Sequence, residues 1–120
     1  MNIAIIGSRN CGDLTVEKII QNIPEQCTCI ISGGAMGVDS LAKTAARQLK
    51  IPIQEYLPDY AVFGRKAPIY RNYSIINHAD QVLAFWDYQS RGTQHVILEC
   101  LKIKKPIKII NINDDDSSIF

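Results

Sequence analysis

Apolar residues are arranged along this chain in two rhythms. "NIAII" (residues 2–6), "CTCII" (27–31), "PIQEYL" (52–57), "QVLAFWD" (81–87) and "IKIINI" (107–112) are short runs rich in apolar and β-branched residues. Runs of this kind suit strands buried on both faces, as in a parallel sheet. Between them the apolar positions recur at helical spacing. Val16, Ile19, Ile20 and Ile23 form one stripe, closed by Pro24. Val38, Leu41, Ala42, Ala45 and Leu49 form a second, with Lys43, Arg47 and Lys50 off it. A third helix is predicted from Pro68, a residue suited to a first helical turn, to about His78. A fourth is predicted from about Thr93 to Lys104, and Pro106 opens the last strand. "PDYAVFGRKAP" has no clear periodicity and reads as the longest loop.

Strands and helices therefore alternate from end to end. That order predicts an α/β fold with a parallel sheet and helices on both faces. Residues 1–112 are expected to form a single domain, and "NDDDSSIF" (113–120) a polar C-terminal tail. A length of 120 residues suits one domain, and a hydrophobic content of 47% can supply its core.

The net charge of +1 argues against holding duplex DNA or a membrane by bulk electrostatics. It leaves room for a small anionic ligand, which needs only a few well-placed charges. Cys11, Cys27, Cys29 and Cys100 make no CxxC pair, and only His78 and His95 could complete a metal site, so no metal is expected. Cys27 and Cys29 read as small core residues on one strand face. Reduced thiols fit a cytoplasmic protein. No segment is long and apolar enough to span a membrane. The start runs directly into a strand, so no signal peptide is expected.

Ligands of open α/β sheets bind at the carboxyl ends of the strands. The loops leaving the first, second and fourth strands are "GSRNCGD", "SGGAMGVD" and "WDYQSRGT". Their glycines, hydroxyls and arginines contrast with the ordinary polar connections at the other edge. Arg9, Arg65, Arg71 and Arg91 fall in or beside these loops, and Arg47 does not. Arginine's planar fork can grip phosphate with two bonds. Around Ser32, Gly33, Gly34, Ala35 and Gly37, a strand turns sharply into a helix. Unpaired N–H groups and the helix dipole favour an anion there. The turn is neither a P-loop nor a GxGxxG fingerprint. Asp39 in the first helical turn could bind loop amides or face a ribose hydroxyl.

"IAIIGSR", "ISGGAMGVDSLA", "YRNYSIINHADQVLAFWD" and "SRGT" together resemble the SLOG superfamily, in particular its small stand-alone YspA and cpYpsA-related branch. The superfamily also contains the LOG phosphoribohydrolases and DprA/Smf. The resemblance covers residues 2 to about 110. It implies a Rossmann-like three-layer sandwich with a five-stranded, mostly parallel sheet that binds a nucleotide or nucleotide-derived ligand. Gly7, Ser8 and Arg9 would line the pocket after the first strand. Ser32, Gly33, Gly34 and Gly37 would hold phosphate or ribose. Arg71 and Asn72 would face the ligand, and Ser90, Arg91, Gly92 and Thr93 would form a second phosphate cradle. Asn72 enters through the resemblance alone.

The chain departs from the LOG motif PGGxGTxxE. Thr93 matches its threonine, but Val96 stands at the glutamate position and Glu99 lies three residues further on. Cleavage of an N-glycosidic bond needs a nearby carboxylate, for which Asp87 or Asp39 could substitute. The sequence thus favours a ligand-binding or sensing module without a cofactor over a nucleotide hydrolase, with no catalytic residue assigned. DprA-like binding of single-stranded DNA is the third reading. It calls for a basic groove with exposed aromatics. Tyr60, Phe63, Tyr70, Tyr73, Trp86 and Tyr88 surround the expected site. Phe63 and Tyr73 read as core residues, and Trp86 and Tyr88 as platforms for one base. Given the near-neutral charge, nucleic acid is not expected as a partner. Relatives are commonly dimers. Apolar surface on Ile75, Ile76, Val96, Ile97 and Leu101 would suit a homodimer.

Overall fold

The apolar runs become the layers of one sheet. In the computed structural model of the chain, residues 1–113 are described. The tail expected at 113–120 therefore lies outside the described residues, apart from Asn113. Five strands, β1 (Asn2–Gly7), β2 (Cys29–Ser32), β3 (Ile53–Glu55), β4 (Gln81–Trp86) and β5 (Ile107–Asn111), lie in the order β3-β2-β1-β4-β5. Every pairing is parallel. The fold is a Rossmann-like α/β sandwich.

The helices are α1 (Val16–Asn22), α2 (Val38–Leu49), α3 (Tyr60–Phe63), α4 (Ala67–His78) and α5 (Arg91–Ile103). Strand alternation sorts the core into two layers. Ile3, Ile5, Ile30, Leu83 and Phe85 face Ile19 of α1 and Val38, Ala42, Ala45 and Ala46 of α2. Ala4, Ile6, Ile31, Val82 and Ala84 face Ile75 and Ile76 of α4 and Val96, Ile97 and Cys100 of α5. Burial of each large aliphatic side chain stabilises the fold by about 1.5–3 kcal/mol.

Several expectations from the sequence shift. The second strand starts at Cys29, so Cys27 packs from the preceding turn. The stretch read as a loop contains α3 and a 3-10 turn (Gly64–Lys66), because Asp59 caps the first amides through Val62 N. α5 begins at Arg91, two residues early, because Ser90 serves as its N-cap. The proposed dimer surface is largely consumed by the core. Ile75, Ile76, Val96 and Ile97 are buried against the sheet, leaving only Leu101 exposed among them. α2 and α5 both end at lysines in the left-handed conformation, Lys50 (φ 56°) and Lys104 (φ 59°), at the sheet edge remote from the glycine loops.

Strand order reverses between β1 and β4, so the loops that leave them diverge and open a crevice. One backbone contact sets the shape of that crevice. Gly37 caps α2 at φ 73°, and a Cβ there would collide with the carbonyl oxygens of Arg9 and Ser8. Val38 N then donates to Ser8 O at 3.2 Å. Gly37→Ala is expected to lower unfolding free energy by about 2 kcal/mol or more, read from the urea midpoint. Gly64, also at positive φ but with nothing within 4 Å of an added Cβ, is the comparator. Gly64→Ala should cost clearly less, because it isolates backbone strain from collision.

Candidate functional site

The loops after β1, β2 and β4 and the start of α4 meet around a cavity of about 390 Å³. Ligand pockets commonly start at about 300 Å³. Gly7, Ser8 and Arg9 line it from the first loop, Gly33, Ala35 and Asp39 from the second, and Arg71 and Asn72 from α4. Ser90, Gly92 and Thr93 line it from the fourth. Eleven of the residues singled out from the sequence are thus brought together. Ile6, Asn10, Pro68, Ile75, Asp87 and Val96 complete the wall.

Five others do not line it. Ser32 is buried beneath the loop, and its Oγ accepts from Gly34 N at 3.3 Å. Gly34 packs toward Leu57 and Glu55, and Gly37 toward the first loop. Arg91 is exposed on α5 beside the rim. Trp86 instead fixes the fourth loop, donating from Nε1 to Ser90 O at 3.0 Å and stacking on Tyr88 with ring centroids 4.6 Å apart. The glycine cluster therefore divides its work. Two glycines shape the turn, and only Gly33 faces the cavity.

Arg71 is the centre of the site. Its Nη1 donates to Gly33 O at 2.9 Å, and its Nε donates to Asn72 Oδ1 at 3.0 Å. Asn72, nearly buried, orients the arginine. A guanidinium has five N–H donors, so most of the fork is left for the cavity. Burial pulls the Arg71 pKa below its usual value, and the nearby Asp39 carboxylate opposes that fall. Arginine keeps its charge regardless.

The two carboxylates on the wall are both tied to backbone. Asp39 Oδ2 accepts from Ala35 N at 3.0 Å, which settles its structural part in the loop. Asp87 Oδ1 accepts from Gln89 N at 2.9 Å and Ser90 N at 2.8 Å, and these amides hold its pKa below the usual range. Ser8, buried, links the first and fourth loops by accepting from Asp87 N at 3.2 Å. Ser90 Oγ lies 3.1 Å from Thr93 Oγ1. Val96 is buried in the wall, and Glu99 faces Lys102 (3.1 Å) and His95 (3.9 Å) instead. Among the described residues no cluster could hold a metal ion, and no helix is long and apolar enough to cross a membrane. Burial pushes the Cys100 thiol up to about 11 and raises that of Cys27, which makes both inert packing residues.

The sequence reading missed Asn10 and Pro68. Their signal was adjacency, to Arg9 in one loop and to the Arg71 helix start in the other. It also took Phe63 and Tyr73 for core residues, whereas both are exposed.

A five-stranded parallel sheet flanked by helices, with glycine-rich loops meeting an arginine at its switch point, places the chain among Rossmann-like α/β domains. Residues 1–67 match the model of the family described as DNA recombination-mediator protein A, and the chain belongs to that family. The X-ray structure of DNA processing protein A (DprA) from Streptococcus pneumoniae has the same fold, with a TM-score of 0.74 at 21% identity. The match covers 92% of this chain and 50% of that one, so this chain spans half the length of that protein. No curated protein matches the chain. Membership overturns the expectation that nucleic acid is not a partner. That expectation summed charge over the whole chain, whereas phosphate responds to local charge. Arg9 and Arg71 stand in the cavity itself.

Burial is the main cause raising the Asp39 pKa; the Ala35 amide, Arg71 and Ser32 oppose it, and Glu55 adds to it. The folded state therefore holds this proton more tightly than the unfolded chain does. Stability linked to Asp39 is full below the ordinary carboxylate pKa and declines as pH rises through the raised value. Asp39→Asn is expected to flatten that decline. Urea unfolding across pH 3–7 measures it, and an unchanged slope would mean that Asp39 titrates normally.

Proposed function

We propose that the strand-end cavity seats a phosphate-bearing nucleotide of single-stranded DNA, making the chain a DNA-binding module in DNA processing. The observation that carries this reading is Arg71, held by Gly33 O and Asn72 Oδ1 with the rest of its fork free for the cavity. Family membership supports the choice of DNA. Arg9 supplies a second positive group on the first loop. Gly92 leaves open space in the first turn of α5, where the helix dipole favours an anion. The motifs shared with the stand-alone SLOG branch support the same phosphate-holding role, and the free cysteines suit a cytoplasmic setting.

A free nucleotide is the second reading. The size of the cavity favours it, because about 390 Å³ suits one nucleotide unit. The site residues give no support to N-glycosidic cleavage. Asp39 and Asp87 already accept backbone amides, and Val96 leaves the wall apolar where LOG enzymes place glutamate.

Fluorescence anisotropy with labelled oligothymidylates tests the reading. Arg71→Ala should weaken binding about tenfold or more, the scale of a lost charged hydrogen bond. It should also make the plot of log affinity against log salt shallower by about 0.7 for the one phosphate contact removed. Gly92→Ala should leave the urea midpoint unchanged or raise it, since an added Cβ meets nothing within 4 Å and alanine favours a helix, yet weaken binding by obstructing the phosphate. Absence of oligonucleotide binding at low salt overturns the reading. Thermal stabilisation by mononucleotides alone selects the second.

A further inference from the structure

A second depression, of about 240 Å³, lies beside the nucleotide cavity and shares Arg71 with it. Three aromatic rings step across it. Phe63 and Tyr70 are stacked, with centroids 4.3 Å apart and an interplanar angle of 22°. Tyr73 meets Tyr70 edge to face at 6.1 Å. Tyr70 and Tyr73 are three residues apart on α4 and so share one helix face. The rings are 42%, 43% and 37% exposed in the order Phe63, Tyr70, Tyr73. Rings so exposed gain little from the fold they sit on, yet they are held in contact with one another. The groove also contains Ser74 and Asn77, whose polar groups suit the edges of bases. Exposed Arg65 and Lys66 follow Phe63 after Gly64, in the 3-10 turn.

We infer that Phe63, Tyr70 and Tyr73 form a stacking platform for the nucleobases next to the nucleotide seated on Arg71. The inference rests on the proposed DNA reading and extends it from one nucleotide to a strand. Two observations favour nucleobases over another occupant. The groove is continuous with the phosphate cavity through a single guanidinium, so a strand leaving that cavity passes over Tyr70. Arg71 lines the groove, and the exposed Arg65 and Lys66 lie two and three residues beyond Phe63; with Asp59 as the one carboxylate in the lining, this positive excess complements a polyanion carrying flat apolar bases. Every base presents a π-face, so such a platform reads strand length more than sequence.

The test compares thymidine 5′-monophosphate with oligothymidylates of increasing length, on the full chain. Wild-type affinity should rise with length. Tyr70→Ala and Phe63→Ala should each cost about tenfold on the long strand and leave the mononucleotide unchanged. Tyr70→Phe should retain wild-type affinity, because the ring does the stacking. A strand with abasic sites flanking one thymidine should bind wild type no better than the long normal strand binds Tyr70→Ala. Both positions are exposed, so folding should survive, and a circular dichroism melt checks that; Tyr70→Leu serves if the alanine variant melts early. If Arg71→Ala weakens the long strand while the aromatic variants do not, the platform is overturned and the DNA reading stands. If no oligonucleotide binds at all, the DNA reading itself fails. Dissociation of a dimer by Tyr70→Ala in sedimentation, with oligonucleotide affinity unchanged, would also overturn the platform and make the rings a self-association surface.

Discussion

Backbone lies directly on backbone where Gly37 meets Ser8 and Arg9, and the site depends on that contact. No side chain can be inserted between the two loops. The contact draws the start of α2 toward the end of β1, and the Val38 amide then bonds Ser8 O. The same serine reaches the fourth loop through its hydroxyl. Three loops from three strands are thereby locked to one another without a ligand. The cavity is largely preformed, so little ordering free energy is lost when something enters it.

Arg71 converts this frame into chemistry. It comes from a helix on one face of the sheet and is tied to a loop carbonyl that belongs to the second strand. The guanidinium has thereby surrendered much of its rotational freedom. Asp39 lies near enough to favour its charge, but that carboxylate is already engaged with the Ala35 amide. Two arginines and two carboxylates share the wall, and both carboxylates are tied to backbone amides, so the character of the site lies in where each group is held and not in a sum of charges.

The fold was legible because its signals are local. Continuous apolar runs mark strands buried on both sides, and the alanines of α2 mark a helix lying close to a sheet. The glycine loops marked the edge where the cavity opens for the same reason. Less legible was the work of each residue within a loop. Gly33 and Gly37 look alike in sequence, yet one faces the cavity and the other a neighbouring backbone. That difference is set by the register between two loops that are distant in sequence. The exposed aromatics were misread because Phe63 and Tyr73 have core chemistry, and only the placement of α3 and α4 shows which face each occupies. Charge misled in a different way. A net value cannot show that Arg9 and Arg71, far apart in the chain, share one cavity.

Lys50 and Lys104 end two of the three long helices, α2 and α5, at the sheet edge opposite the site, both in a conformation that side chains occupy at a cost of roughly 1 kcal/mol. Glycine would relieve that strain at either position. The chain therefore carries two small strains at the edge away from the cavity, where relieving them would leave the loops around the cavity undisturbed. A substitution there would offset stability lost at the other edge, so the two edges of one small sheet can change on separate terms.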